Sequence, residues 1–263
     1  MTRVISVVNQ KGGVGKTTTA INLGASLAAQ GKFVLLIDID PQANATSGLG
    51  LPHKELDRGV YETLISPASL SEVIRDTHIY GYRIAPSTLS LAGATVELVN
   101  LPRREHLLAD KLGEILQDFD YIIIDNPPSL GLLTINGLVA AQEVLIPVQA
   151  EYYALEGLSQ LLETIAMVKK ELQPDLSILG AVLTMYDPRY KLSQAIMEEL
   201  YKYFPNRIFR SVIPRNVKLA EAPSHGRPVR DYAKTSRAAR AYERLGREVI
   251  STELYPIRNP FSQ

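Results

Sequence analysis

The stretch VVNQKGGVGKTTTAINLGASLA, residues 7–28, joins the end of an apolar strand to a glycine-rich turn and then directly to an amphipathic helix. Glycines in such a turn let successive backbone N–H groups converge on phosphate oxygens, and the helix N-terminus adds its positive dipole end. Lys16 is placed to reach the β- and γ-phosphates of a nucleotide, and the Thr17 hydroxyl to complete a Mg²⁺ shell. The pattern G-x-x-x-x-G-K-[ST] is not strictly met. Its first glycine would stand at position 10, which is Gln10, and an additional lysine, Lys11, precedes Gly12 and Gly13.

Outward from this stretch, short Val/Ile/Leu runs alternate with helical patterns. Residues 3–8, 33–38, 121–125, 143–148 and 176–184 read as buried strands, and residues 16–30, 103–117, 154–171, 192–203 and 236–253 as helices. Gly31 stands where a helix-ending C′ glycine is expected. The alternation predicts an α/β fold with a doubly wound, mostly parallel sheet and helices on both faces, where ligands bind at the carboxyl ends of strands. No internal repeat or clear linker divides the chain, so residues 1–263 are expected to form one domain. Its C-terminal end, after the last helix, should be kept extended by Pro256 and Pro260.

Two further segments place carboxylates at strand ends. LLIDIDPQANATSGLG, residues 35–50, carries Asp38 and Asp40, whose side chains share a face because strand periodicity is two. YIIID, residues 121–125, sets Asp125 at the edge of a four-residue apolar run.

KGGVGKTT resembles the deviant Walker A motif of the ParA/MinD superfamily, and the segments at 86–98, 146–158, 182–189 and 213–229 resemble chromosomal ParA/Soj proteins. The resemblance covers nearly the whole chain and implies a P-loop ATPase that binds ATP and Mg²⁺. Lys11, Gly12, Gly13, Val14, Gly15, Lys16, Thr17 and Thr18 would form the phosphate loop, with Lys11 reaching across a dimer interface to the partner's nucleotide. The D-x-D-P-Q-x-N segment resembles switch I, where Asp40 matches the water-activating carboxylate; Asp38 reads equally as a plain strand-end or supporting group. Asp125 matches the Walker B aspartate, so Thr17, Asp40 and Asp125 are the expected metal-site residues. Asn126 departs from the family, whose members usually have Cys, Thr or Ser there. Pro214 and Asn216 are the implied base contacts, while Met185 reads equally as a base contact or as core.

The same resemblance implies a homodimer held through ATP, non-specific binding of double-stranded DNA by Arg189, Arg215 and Lys218, and release on hydrolysis stimulated by a ParB/Spo0J-like partner. Lys202, Arg237 and Arg240 could extend the basic patch. Charge agrees. The net charge is +0, but residues 201–263 hold 13 Lys/Arg against 5 Asp/Glu. Such a segment attracts polyanions. No helix-turn-helix or zinc motif suggests sequence-specific readout.

Composition narrows the alternatives. Hydrophobic residues make up 46% and charged residues 21%, values of an ordinary globular protein. Cysteine is absent, which excludes disulfides and cysteine-held iron–sulfur clusters, and with them an iron–sulfur reductase on this fold. Neither a spanning helix nor a secretory leader is evident, so the expected location is cytoplasmic and nucleoid-associated. A MinD-like membrane regulator is the alternative on the same core, but it would end in a basic amphipathic helix, which Pro256 and Pro260 oppose. An ATP-dependent ligase would need substrate-binding insertions, and none is evident.

Overall fold

In the computed structural model, residues 1–151, 157–205 and 207–252 are described. The chain runs β1 (Arg3–Val7), α1 (Lys16–Ala28), β2 (Val34–Asp38), α2 (Asn44–Gly48), α3 (Val60–Ile65), β3 (Arg75–Asp76), β4 (Tyr82–Ala85) and α4 (Leu91–Leu98). It continues through α5 (Leu107–Leu112), β5 (Tyr121–Asp125), α6 (Leu132–Val139), β6 (Glu143–Gln149), α7 (Leu158–Glu171) and β7 (Ser177–Thr184). The last helices are α8 (Lys191–Tyr203), α9 (Val217–Glu221), α10 (Val229–Tyr232) and α11 (Arg237–Ser251).

The sheet order is β3-β4-β2-β5-β1-β6-β7, with only the short β3 edge antiparallel to its neighbour. The doubly wound, mostly parallel sheet read from the sequence is therefore present. Parallel strands covered on both faces must be apolar on both, and β2 and β5 are buried at every position. Alternate residues serve different layers. Ile5, Leu36 and Ile123 pack under α1 and α11 with Leu23, Leu27 and Leu245. Val4, Leu35, Ile122 and Ile124 pack on the other side with Leu64, Leu108, Leu161 and Leu200. β1 lies between β5 and β6, so its carboxyl end opens at the point where the chain's winding reverses.

Helix α1 ends as expected at Gly31, which takes φ +80° while its N–H bonds Ala28 O and that of Lys32 bonds Leu27 O. The helix expected over 103–117 is shorter. Arg103 adopts φ +52°, outside the helical region, and α5 spans only Leu107–Leu112 before a 3₁₀ turn at Leu116–Asp118. The free N–H of Leu108 at its start is taken by Asn136 Oδ1 of α6, 3.1 Å away. The helix expected from 154 is described from Leu158, residues 152–156 lying outside the described set, as does the expected extended tail from 253 onward.

Candidate active site

The loop between β1 and α1 is shaped by two left-handed glycines, Gly13 at φ +75° and Gly15 at φ +90°, conformations that cost a side-chain-bearing residue about 1 kcal/mol. It is tied down from three sides. Asn9 Nδ2 donates to Pro147 O at 2.8 Å and its Oδ1 accepts Lys11 N–H at 3.0 Å. Gln10 Nε2 donates to Gly157 O at 2.8 Å, so the residue that replaces the motif's first glycine anchors the loop to the start of α7. Thr184 Oγ1, at the end of β7, donates to Val14 O at 2.7 Å. Lys16 lies buried with Nζ donating to Lys11 O at 3.1 Å. Burial pushes its pKa down, while Asp125 and Asp40 pull it back up.

Three carboxylates meet this loop, and they differ in kind. Asp38 is fully buried; its Oδ2 accepts both Thr46 N–H (2.8 Å) and Thr46 Oγ1–H (2.7 Å), and its Oδ1 accepts Asp40 N–H at 3.2 Å. Burial pushes its pKa up to about 7 against those hydrogen bonds. It is thus engaged in holding the loop. Asp40 Oδ1 accepts Gln42 N–H at 3.0 Å, its one side-chain hydrogen bond among the described residues, and the residue lines the cleft. Asp125 is fully buried and neither of its oxygens has a hydrogen-bond partner among the described residues. Burial raises its pKa well above the carboxylate range, and the charge of Asp38 adds to that. Thr17 opposes the rise, though its hydroxyl stops short of hydrogen-bond geometry. Two unpartnered buried oxygens are expensive unless something is received there.

Asn126, the departure from the family pattern, is fully buried and bonds across the sheet: Nδ2 donates to Ser6 Oγ at 2.8 Å and Val7 O at 2.9 Å. It ties the segment after β5 to β1. Its Oδ1 has no partner among the described residues and faces Gly137, where any Cβ would collide with it.

The cleft in front of the loop has a volume of about 430 Å³. Of the expected loop residues, Gly12, Gly13, Gly15, Lys16, Thr17 and Thr18 line it, together with Asp40. Val14 is buried behind them, and Asp125 lies at the floor beside Thr17 and Lys16. Lys11 does not line the cleft; it lines an adjoining depression with Gln10, Pro128, Ser129 and Gln160, and Pro128 borders both. Met185, with φ +52°, does line the cleft; Pro214 and Asn216 do not. Pro214 is bridged to Tyr186, and Asn216 caps α9 by accepting Lys218 N–H at 2.9 Å. The wall is completed instead by Gln42 and Asn44 of the D-x-D-P-Q-x-N segment and by Asn22, Ser47, Pro223 and Arg227, which no motif singled out. Pro223 and Arg227 are brought in by a contact of two left-handed glycines, Gly50 and Gly226; a Cβ on Gly226 would lie 2.5 Å from Gly50 Cα. The glycines at 48, 50 and 226 are the available signal in the sequence, but they name no partner.

The expected DNA contacts are exposed, and each carries an acidic neighbour. Arg189 bonds Asp187 (2.5 Å), Arg215 bonds Glu151 (3.0 Å) and Lys218 bonds Glu221 (2.8 Å). Arg189 holds the Asp187 carboxyl down at about 2. Arg189 and Arg215 share one depression, walled from the cleft by Met185. Lys218 sits at the start of α9. Lys202 pairs with Glu199 on α8, and Arg240 of α11 bonds Thr235 O; neither lines that depression. Arg237 opens α11 and is likewise outside it. Among the described residues no helix is long and apolar enough to cross a membrane.

Residues 2–178 match the AAA domain family. The sporulation initiation inhibitor protein Soj of Bacillus subtilis is 53% identical over 251 residues, 95% of this chain and 99% of that relative. The chromosome-partitioning ATPase Soj of Treponema pallidum is 50% identical over 255 residues, 96% of this chain and 99% of that relative. Among solved structures, cobyrinic acid a,c-diamide synthase from Mycobacterium smegmatis with bound ADP and magnesium superposes with a TM-score of 0.87 at 36% identity, covering 98% of this chain and 99% of that one.

Proposed function

The chain belongs to the Soj/ParA family of chromosome-partitioning ATPases, and from that premise we propose that it is a nucleotide-controlled switch that holds DNA as an ATP-bound dimer and releases it on hydrolysis. The observation that carries the reading is Asp125: a buried carboxylate with both oxygens unpartnered, next to Thr17 and Asp40 at the mouth of a glycine loop.

That set suits magnesium. Hard oxygen donors, a hydroxyl and two carboxylates, leave room for phosphate oxygens and water, as Mg²⁺ prefers over an all-protein cage. Thr17, Asp40 and Asp125 would hold it, directly or through water. When bound, the ion neutralises charge on the β- and γ-phosphates. The protein's own groups supply the rest. The N–H groups of Gly13 to Thr18 and the Lys16 ammonium cradle the phosphates. Asp40, with one oxygen fixed by Gln42 N–H, orients the attacking water with the other. Lys11, which does not line its own cleft, would act on the partner's nucleotide across a dimer interface.

Arg189, Arg215 and Lys218 would meet phosphates of either strand without reading bases. Each must exchange a carboxylate for a phosphate, and because Arg189, Arg215 and Lys218 are solvent-exposed, their ion pairs are screened and exchangeable. A ParB-like partner that stimulates hydrolysis completes the cycle, since loss of the γ-phosphate removes the preference for the dimer. The test is binding to a random-sequence duplex with ATP, with ADP and without nucleotide, at two salt concentrations. Binding only with ATP, weakened by salt, supports the switch. Equal binding under all three conditions, or binding only to anionic vesicles, would reject it.

A further inference from the structure

The amino ends of the parallel strands form a second recessed face, at the opposite edge of the sheet from the nucleotide cleft. Arg3, Glu143 and Ser177 open β1, β6 and β7, and Phe33 precedes β2; all four line a depression of about 1000 Å³ with Leu116, Phe119 and Asp175. A five-residue strand separates the two edges by about 16 Å. A neighbouring hollow of about 670 Å³ shares Phe33, Asp118 and Phe119 with it and is closed by Tyr80 and Arg83, so the two wrap one centre.

That centre is an aromatic pair kept in solvent. Phe33 is 51% exposed and Tyr80 89%, and their rings meet edge to face with centroids 6.3 Å apart. Phe33 is not a loose side chain on a mobile loop. Its N–H is held by Asp120 Oδ2 at 2.7 Å, and its carbonyl accepts the N–H groups of Asp120 (2.8 Å) and Tyr121 (3.1 Å). Backbone fixed this firmly presents the ring at little further entropic cost, the condition that favours an interface anchor.

Around the pair the charge is acidic and partly unmatched. Glu143 is paired with Arg3 and Asp76 with Arg83, and Asp120 is occupied by Phe33 N–H. Asp118 and Asp175, both exposed, have neither a cation nor a donor among the described residues. Carboxylates left open beside exposed aromatics repel nucleic acid and anionic lipid alike, and favour cations flanking an apolar group.

We infer that this face docks a protein segment bearing an apolar or aromatic anchor flanked by Lys or Arg. Phe33 and Tyr80 receive the anchor, and Asp118 and Asp175 receive the cations. Because the face lies across the sheet from the cleft, it stays open when two chains join through nucleotide, and docking there is independent of nucleotide state.

The probe is a random dodecapeptide display library, selected on the full chain and tested against Phe33→Ser/Tyr80→Ser and Asp118→Asn/Asp175→Asn. All four positions are exposed and outside the nucleotide site, so ATP turnover in both variants reports intact folding. The expected winners carry net positive charge around an aromatic or aliphatic residue, lose at least tenfold in affinity on each double variant, and bind equally with ATP, ADP or neither. Winners that bind the variants as well as the parent chain, or that are acidic, overturn the inference. So does retention only by a chain ending at Thr252, since the chain's own end would then be the occupant. A nucleotide-free dimer that Phe33→Ser/Tyr80→Ser converts to monomer by light scattering also overturns it, because the occupant would be a second copy.

Discussion

Thr46 presents both of its donors to a single oxygen of Asp38, the amide N–H at 2.8 Å and the hydroxyl at 2.7 Å. The same hydroxyl accepts Ser87 N–H at 2.9 Å, and Ser87 Oγ donates to Asp40 O at 2.8 Å. A closed ring thus joins the ends of β2 and β4 and fixes the backbone that carries Asp40. Thr46→Val keeps the shape but removes the hydroxyl, leaving Ser87 N–H and part of Asp38 unsatisfied in a buried site. The expected loss is about 1–3 kcal/mol, read as a lower urea midpoint, with reduced turnover. Thr46→Ser should restore both. A valine variant as stable and active as the parent would remove the ring from the account.

Asp38 also gives the fold a pH dependence with a definite sign. Its folded pKa of about 7 lies above the ordinary carboxylate value, so between about pH 4 and pH 7 the folded chain holds a proton that the unfolded chain has released. Stability from this group is complete below pH 4 and is lost as pH rises through 7. At about 1.4 kcal/mol per unit, the loss is on the order of 4 kcal/mol across that range. Denaturant unfolding from pH 4 to 8 should show a falling contribution that Asp38→Asn removes. Parallel curves for parent and variant would refute it.

Asp38 and Asp40 also mark how far the sequence could be read. Buried strands announce themselves as unbroken apolar runs, and the glycine loop by φ-permissive residues ahead of Lys16, so sheet, cleft and phosphate loop were all legible. Period two put both aspartates on one face but could not say which is spent on hydrogen bonds, because Thr46 and Ser87 reach them only in the fold. Arg103 is a comparable case: its stretch has helical periodicity, yet tertiary contacts, Asn136 on Leu108 above all, start the helix later. Pro223 and Arg227 enter the cleft through packing of Gly50 on Gly226, a contact between positions far apart in the chain. The Phe33–Tyr80 face has no motif at all.

The division of labour between the two aspartates can be separated kinetically. Asp40→Ala should retain ATP binding and thermal stability while turnover falls by roughly 10²–10⁴, the range of a lost general base or water-orienting group. The variant should accumulate as an ATP-bound dimer by light scattering. Asp38→Ala should instead lose stability and nucleotide binding together, since it leaves Thr46 N–H and Asp40 N–H without acceptors. Normal hydrolysis by Asp40→Ala would move the water-orienting role elsewhere.

Asn126 works through contact with its neighbour. A Cβ at position 137 would run into Asn126 Oδ1 and come within 2.9 Å of Ile39 Cδ1. Gly137→Ala should therefore cost about 1–3 kcal/mol by overpacking and push the Asn126 amide off Ser6 and Val7. Asn126→Ser, smaller and closer to the family pattern, should relieve that clash, so the double variant should recover part of the loss. Strict additivity of the two changes in unfolding free energy would show that the side chains do not meet.

The Asp187–Arg189 pair makes the last prediction two-sided. Arg189 is exposed and bonded to Asp187 through both of its carboxylate oxygens, at 2.5–3.2 Å. If Arg189 meets a DNA phosphate, Arg189→Ala removes one counterion-releasing contact per chain. The slope of log affinity against log salt should then fall by about 1 per chain, or about 2 for a dimer. Asp187→Asn acts in the opposite direction: it takes away the competing carboxylate, so ATP-dependent DNA affinity should rise several-fold while the slope is kept. A general effect of net charge would make any exposed Asp→Asn change equivalent, and Asp110→Asn, on α5 and paired with Arg103, is the control. Equal gains from Asp187→Asn and Asp110→Asn would reduce Arg189 to a solvated surface charge; a gain confined to Asp187→Asn, abolished when Arg189→Ala is added, places the phosphate on Arg189.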